Sequence, residues 1–212
     1  LKLDLLDYAE SKFSGMSRSK NRPIRAVYVN DFDTELQADV QRRGYEQWPD
    51  FDQPMACFYP HQPIPDITLP EGYKLQSLAD ENDLRKVNKV LWRGFNHPGP
   101  PPEEEIEGRK FMQSAPNFRH DLNMVVVAPN GDYASYGGMW YVAENKVGYV
   151  EPVATDPDYR RMGLGKAAVM EGVRRVIAEG AEIVWVGSDQ PFYQAMGFAV
   201  KFSLVPWVKF LD

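Results

Sequence analysis

Residues Val147 to Gly165 read VGYVEPVATDPDYRRMGLG, and the other segments are best interpreted relative to them. The run from Val147 to Ala154 has the apolar, β-branched character of a strand. Asp156-Pro157-Asp158 then turns the chain. After Arg160 and Arg161 a helical pattern opens, with Leu164, Ala168, Val173, Val176 and Ile177 on one stripe and Lys166, Glu171, Arg174 and Glu179 off it. Gly180 stops it. The charges at the start of this helix are informative. A helix N-terminus carries a partial positive charge and favours acids. Here Arg160, Arg161 and Lys166 crowd the first turn, in a chain with 24 Lys and Arg against 30 Asp and Glu. Cations belong there if an anion sits among them, and free amides at a helix start suit phosphate. Gly163 and Gly165 lack a Cβ and let a ligand reach the backbone. The stretch predicts a strand-loop-helix cradle for a pyrophosphate, built by Arg160, Arg161, Met162, Gly163, Leu164, Gly165 and Lys166. The plainer alternative is a solvated basic turn.

Two common phosphate motifs are excluded. No G-x-x-x-x-G-K-[ST] precedes the helix, and the G-x-G-x-x-G spacing is incomplete. What remains is R-x-x-G-x-G between an apolar strand and a helix, with PFYQAMGF following at 191–198. Together these resemble the acetyl-CoA signature, Q/R-x-x-G-x-G/A, of the GNAT superfamily of N-acetyltransferases. The resemblance implies that the loop amides hold the coenzyme A pyrophosphate and that acetyl-CoA is the cofactor. It also implies an α/β (α+β) fold whose mixed central sheet, flanked by helices, splays open at its fourth strand.

Composition bounds the alternatives. A hydrophobic share of 43% and an aromatic share of 13% can fill a core, and 25% charged residues is ordinary for a soluble protein. No apolar run reaches the roughly 20 residues of a membrane span, and no signal or transit pattern is visible. The expectation is a cytoplasmic protein, monomeric or homodimeric, that does not act on membranes. A net charge of −6 argues against a nucleic-acid partner. The single cysteine, Cys57, excludes an internal disulfide, and His61, His97 and His120 lack metal-ligand spacing, so no metal is expected. The chain begins at Leu1 and not at Met, as a fragment or a trimmed chain would.

The first third predicts a helix over 3–13, a loop over 14–23, a strand over 25–29, a helix over 34–43 capped by Asp31 or Asp33, and a strand over 53–59. Prolines 54, 60, 63 and 65 then mark a linker. Gln41-Arg42-Arg43-Gly44-Tyr45 parallels Gln194-Ala195-Met196-Gly197-Phe198. Residues 1–65 therefore read as a partial domain similar to the C-terminal half of a GNAT domain, with an unrelated extension as the alternative. Residues 66–212 read as the complete domain. Strands are expected over 67–75, 124–128, 132–142, 146–154 and 183–186, with a closing hairpin over 198–202 and 204–211. Helices are expected over 81–95 (capped by Asp80), 103–113, 165–179 and 192–196.

The candidate chemistry lies on both sides of the cradle. Pro152 cannot donate to a ladder, so its strand is an edge or has a bulge there. In the family the pantetheine arm pairs with this strand, and the resemblance puts Val153, Ala154 and Thr155 in that role. A carboxylate beside a buried cleft holds its proton more readily and suits a general base. The resemblance gives this role to Glu151, the one acid in the strand core YVEPV; a surface-facing glutamate is the alternative. It also makes Tyr193 the general acid toward the leaving thiolate, against a purely core tyrosine; Ser188 and Asp189, just before it, are placed to cap that helix or to line the cleft. The implied reaction is direct attack of a primary amine, on a small molecule or peptide, on the thioester, with the Val153 N–H as oxyanion donor. A non-catalytic coenzyme A sensor and a transferase of longer acyl groups are the competing functions. Acceptor choice would fall to residues 95–105 and the terminal hairpin. Glu103, Glu104 and Glu105 are candidates for attracting a cationic acceptor, with a solvated helix start as the alternative. Trp92, His97, Trp140 and Trp207 are candidates for lining a pocket, with core packing as the alternative for the tryptophans.

Overall fold

The computed structural model describes residues 1–17, 20–48 and 51–211. In chain order the first elements are α1 (Lys2–Lys12), β1 (Gly15–Ser17), β2 (Arg22–Asn30), α2 (Thr34–Arg42), β3 (Glu46–Gln47) and β4 (Gln53–Phe58). Then come β5 (Lys74–Ser77), α3 (Leu84–Gly94), α4 (Glu105–Gln113), β6 (Met124–Val127), β7 (Tyr133–Val142) and β8 (Val147–Thr155). The chain ends with α5 (Leu164–Ala178), β9 (Ile183–Val186), α6 (Pro191–Gln194) and β10 (Ala199–Phe210). Contacts group residues 1–56 with 200–212 in one compact unit and residues 57–199 in another. Among the described residues no helix is long and apolar enough to cross a membrane.

In the smaller unit β2 runs antiparallel to both β1 and β10, and β3 also pairs with β10. Leu6, Val29, Val40, Tyr45, Val205 and Trp207 form its core. Of the two caps expected for α2, Asp33 serves, its carboxylate accepting the Leu36 N–H at 3.2 Å. The expected loop over 14–23 is corrected: residues 15–17 form β1, while residues 18 and 19 lie outside the described set. The expected closing hairpin is corrected too. β10 is one strand of 12 residues, because no glycine or asparagine interrupts the segment around Ser203 and Leu204 to turn it.

The larger unit carries the mixed sheet in the order β9-β8-β7-β6-β5. β5 to β8 are antiparallel neighbours, and β8 and β9 are parallel. A parallel pair needs a long crossover, which α5 provides. Alternation along β6 sends side chains to two cores. Met124 and Val126 pack with Leu164, Ala167 and Ala168 of α5. Val125 packs on the opposite face with Val87, Val90 and Leu91 of α3, beside Tyr136 and Ala154. Asp83, not Asp80, caps α3, accepting the Arg85 and Lys86 N–H groups at 2.9 and 3.1 Å. Asp80 instead accepts the Ser77 N–H and hydroxyl at 2.9 and 2.7 Å, turning the chain out of β5. The expected strand over 67–75 shrinks to β5, since Pro70 and a left-handed Gly72 (φ +80°) break the run before it. Ile67 and Leu69 pack beside the α5 cluster without joining a strand.

Candidate active site

β8 and β9 pair only from Val147–Ile183 to Tyr149–Trp185. Beyond Tyr149 the sheet parts, while β8 continues along β7 as far as Thr155. Opposite this parting the register of β7 and β8 shifts: Met139 faces Val150, yet Gly137 faces Val153. β8 therefore bulges at Glu151 and Pro152, where proline's missing N–H costs no ladder bond. Two β7 residues hold the bulge. A Cβ on Gly138 would lie 2.4 Å from the Glu151 carbonyl oxygen, so only glycine fits. The Trp140 indole N–H donates to that same oxygen at 3.0 Å.

Strand alternation then sorts the three pantetheine candidates. The Asp156 N–H donates to the Ala134 carbonyl at 3.0 Å, so Asp156 and, two residues back, Ala154 turn their polar groups toward β7. The Ala154 carbonyl also accepts the Ser135 hydroxyl at 3.0 Å. This corrects the expectation for Ala154, whose backbone is committed to the sheet. Val153 and Thr155 point to the open side, but the Thr155 carbonyl accepts the Arg160 Nε–H at 3.1 Å. Among the described residues of β8 beyond the bulge, this leaves Val153 with its N–H and C=O turned from β7 and without a partner among those residues.

At the start of α5, Arg161 (φ +62°) and Gly163 (φ +79°) are both left-handed. This backbone keeps six successive N–H groups, from Arg161 to Lys166, without an acceptor among the described residues; the first helical bond is Ala167 N–H to the Gly163 carbonyl at 3.0 Å. The Met162 and Leu164 side chains pack inward. Gly163 has nothing within 4 Å of where a Cβ would sit. Gly165 is different: its Cβ would meet Thr155 Oγ1 at 2.9 Å and the Phe192 ring at 3.2 Å, so its small size serves the protein's own packing and not, as expected, a ligand's approach. The three cations also divide. The Arg160 guanidinium donates to the Thr155 and Gly94 carbonyls and to Asn96 Oδ1 (2.8 Å), tying down the start of the 95–104 loop. Arg161 and Lys166 make no ion pair among the described residues. Nearby, Asp156 caps the 3₁₀ turn Pro157–Tyr159 and pairs with Arg93 at 2.5 Å.

Glu151 is exposed, as in the surface-facing alternative. Tyr193 is buried at the start of α6, between the Phe192 and Phe198 rings (centroids 5.0 and 5.9 Å). Pro191 opens that helix and the Gln190 carbonyl accepts the Tyr193 N–H at 3.0 Å. No group among the described residues hydrogen-bonds the Tyr193 hydroxyl. Burial, reinforced by the charge of Glu151 and by Tyr149, pushes it up to about 12. The Ser188 hydroxyl accepts the Gln190 N–H at 3.2 Å, shaping the turn into α6.

Sequence reasoning did not single out Tyr149, which lies two residues before Glu151 at the point where β8 and β9 part. Burial raises its hydroxyl, Glu151 adds to that, and the Gly187 N–H opposes it. The spacing Y-x-E on one strand was the available signal, since residues i and i+2 share a face. Among the acceptor candidates, His97 stacks on Trp92 at 4.4 Å and lines a cleft of about 450 Å³ with Arg93, Asn96 and Pro157. Glu103 pairs with Arg85, and Glu105 lies 3.9 Å from Arg109. Trp207 is corrected: it belongs to the core of the smaller unit.

Residues 84–201 match the model of the Acetyltransferase (GNAT) family. Mycothiol acetyltransferase of Saccharomonospora viridis is 26% identical over 160 residues, covering 68% of this chain and 51% of that protein. Glucosamine 6-phosphate N-acetyltransferase of Trypanosoma brucei brucei is 40% identical over 124 residues, covering 57% of this chain and 67% of that protein. The chain thus spans about half the length of the first of these relatives and two thirds of the second. In fold, it superposes on a GCN5-related N-acetyltransferase from Sphaerobacter thermophilus with a TM-score of 0.69 at 18% identity, over 98% of this chain and 64% of that one. It superposes on a tandem GNAT protein from the clavulanic acid biosynthesis pathway with a TM-score of 0.67 at 14% identity, over 91% and 66%.

Proposed function

Because this chain belongs to the GNAT acetyltransferase family, we propose that it moves an acetyl group from acetyl-CoA to a primary amine by direct attack. The observation that carries this reading is the row of six amides from Arg161 to Lys166 that have no acceptor among the described residues, open at Gly163 and flanked by the Arg161 and Lys166 side chains, which make no ion pair among those residues. That arrangement fits a diphosphate. Bound acetyl-CoA supplies the thioester that is cleaved and the thiol that leaves. The amides of 161–166, with the Arg161 and Lys166 side chains, would hold its diphosphate, and the free backbone of Val153 its pantetheine arm.

The chain's own groups do the rest. Glu151 takes a proton from the acceptor's ammonium, directly or through a water. The Val153 N–H, turned away from β7, donates where negative charge develops. Tyr193 keeps its proton throughout the physiological range, because burial pushes it up to about 12, and yields it to the departing sulfur. The name of the Trypanosoma relative specifies a small amino sugar phosphate, which favours a small-molecule acceptor over a peptide. A thiol-release assay with acetyl-CoA and a panel of amines tests the reading. Tyr193→Phe and Glu151→Gln are each expected to lower kcat by roughly 100-fold, the low end for a general acid or base. Turnover unchanged by both substitutions would remove these roles.

We also read residues 1–65 as the C-terminal half of a second GNAT-like domain. Two matching helix ends support this. Gly44 and Gly197 are both left-handed (φ +84° and +102°), and each precedes a buried aromatic, Tyr45 or Phe198. The N–H groups of those aromatics return to Val40 and Tyr193, five residues back in both cases.

A further inference from the structure

Three aromatic residues stand side by side across three strands of the larger unit. Tyr149 of β8 pairs directly with Trp140 of β7 and with Trp185 of β9. Direct partners share a face. The neighbouring Gly148 faces α5, since a Cβ there would touch Val176 at 3.2 Å. The aromatic row therefore lies on the face away from α5, and all three residues are half-buried. Phe118 meets the edge of Trp140 at 5.6 Å and 77°, and the bond from Trp140 to the Glu151 carbonyl fixes that indole in place. Glu151 stands two residues beyond Tyr149, close enough to act electrostatically on both Tyr149 and Tyr193. It makes no ion pair among the described residues.

A ring floor with one carboxylate at its margin has a definite chemical complement. Flat rings stack on aromatic faces, and an ammonium is attracted both by a π face and by a carboxylate. A short open-chain amine would satisfy the carboxylate and leave the floor empty. We propose that Trp140, Tyr149 and Trp185 form the floor of the acceptor subsite, and that this floor selects a primary amine carried on a ring, aromatic or sugar, with its ammonium directed to Glu151. This rests on the acetyltransfer reading for the direction of the amine, but not for the binding itself.

Equilibrium binding, followed by intrinsic tryptophan fluorescence, tests it without any turnover. The probes are 2-phenylethylamine, glucosamine, ethylamine and the dipeptide Ala-Ala. At least one ring amine is expected to bind about tenfold or more tighter than ethylamine and Ala-Ala, the scale of one desolvated cation–π contact. Which ring amine binds tells the aromatic source from the sugar. Tyr149→Leu is expected to erase the preference, whereas Tyr149→Phe keeps the ring and the preference; the wild-type ratio needs no variant at all. Ethylamine or Ala-Ala binding as tightly as both ring amines, or a preference that survives Tyr149→Leu, overturns the proposal. A ring amine that binds as expected but is never acetylated would instead count against the acetyltransfer reading and leave the subsite standing.

Discussion

Gly138→Ala is the sharpest test of how β7 shapes the site. An added Cβ would sit 2.4 Å from the Glu151 carbonyl oxygen and 2.8 Å from both the Glu151 carbonyl carbon and Pro152 Cδ. Ordinary contact begins at 3.4 Å, so the bulge must retreat by roughly an ångström, and none of these atoms is the end of a flexible side chain. Overpacking of this kind costs about 1–3 kcal/mol. Loss of the Trp140–Glu151 hydrogen bond would add about 1 kcal/mol. A combined loss of about 2–4 kcal/mol corresponds to a fall in melting temperature of roughly 4–16 °C for a chain of this length. Calorimetry should place that fall in the transition of the larger unit. Steady-state kinetics should show kcat reduced by roughly 100-fold, the penalty of misplacing a reacting group by about 1 Å. The KM for acetyl-CoA should change less than kcat, since the 161–166 amides are not on this bulge and only Val153 adjoins it. Gly131→Ala is the control: its φ is +85° but nothing lies within 4 Å, so it carries only left-handed strain of about 1 kcal/mol. A Gly138→Ala protein that melts within a degree of wild type with unchanged kcat would refute the argument.

Replacing Arg161 and Lys166 together by Ala should weaken coenzyme A binding about tenfold, taking about 0.7 kcal/mol for each exposed cation, and flatten its salt dependence in calorimetry; an unchanged affinity would show that the amides act alone. Asp156 gives a pH prediction. Burial resists its charge, but the Arg93 guanidinium and the Asp158 N–H outweigh burial and hold the carboxyl below the usual range. A depressed folded value means the contribution is present above the unfolded value of about 4 and is lost as pH falls through the lower folded one. Asp156→Asn should therefore flatten the loss of stability below about pH 4 in urea titrations, and an unaltered acid limb would count against the pair.

The parts of this site that depend on local chemistry were legible in the sequence. The basic, glycine-bearing turn after an apolar strand located the amides of 161–166, and Pro152 located the bulge. The cap of α3 was misplaced by three residues because Asp80 and Asp83 are equally good caps in isolation, and only the course of the chain out of β5 decides between them; the α2 cap, Asp33, was among the two expected. Which backbone groups face the cleft was not legible either. Ladder parity depends on Asp156 reaching Ala134 across the sheet, and this removed Ala154 from the ligand set. The aromatic row was hidden for a similar reason: Trp140, Tyr149 and Trp185 become neighbours only through the registers of three strands. Trp207 misled because composition alone cannot say which core a tryptophan fills.

The pairing of β2 with β10 has a consequence for biosynthesis. Residues 24–30 find their partners at 204–210, some 180 positions downstream along the chain. On the ribosome, residues 24–30 must wait with one edge unpaired until residues 204–210 have emerged, while residues 57–199 can already condense. Nascent chains stalled before residue 204 should therefore expose that edge to chaperones, and removing residues 204–210 would be felt some 180 positions upstream, at residues 24–30.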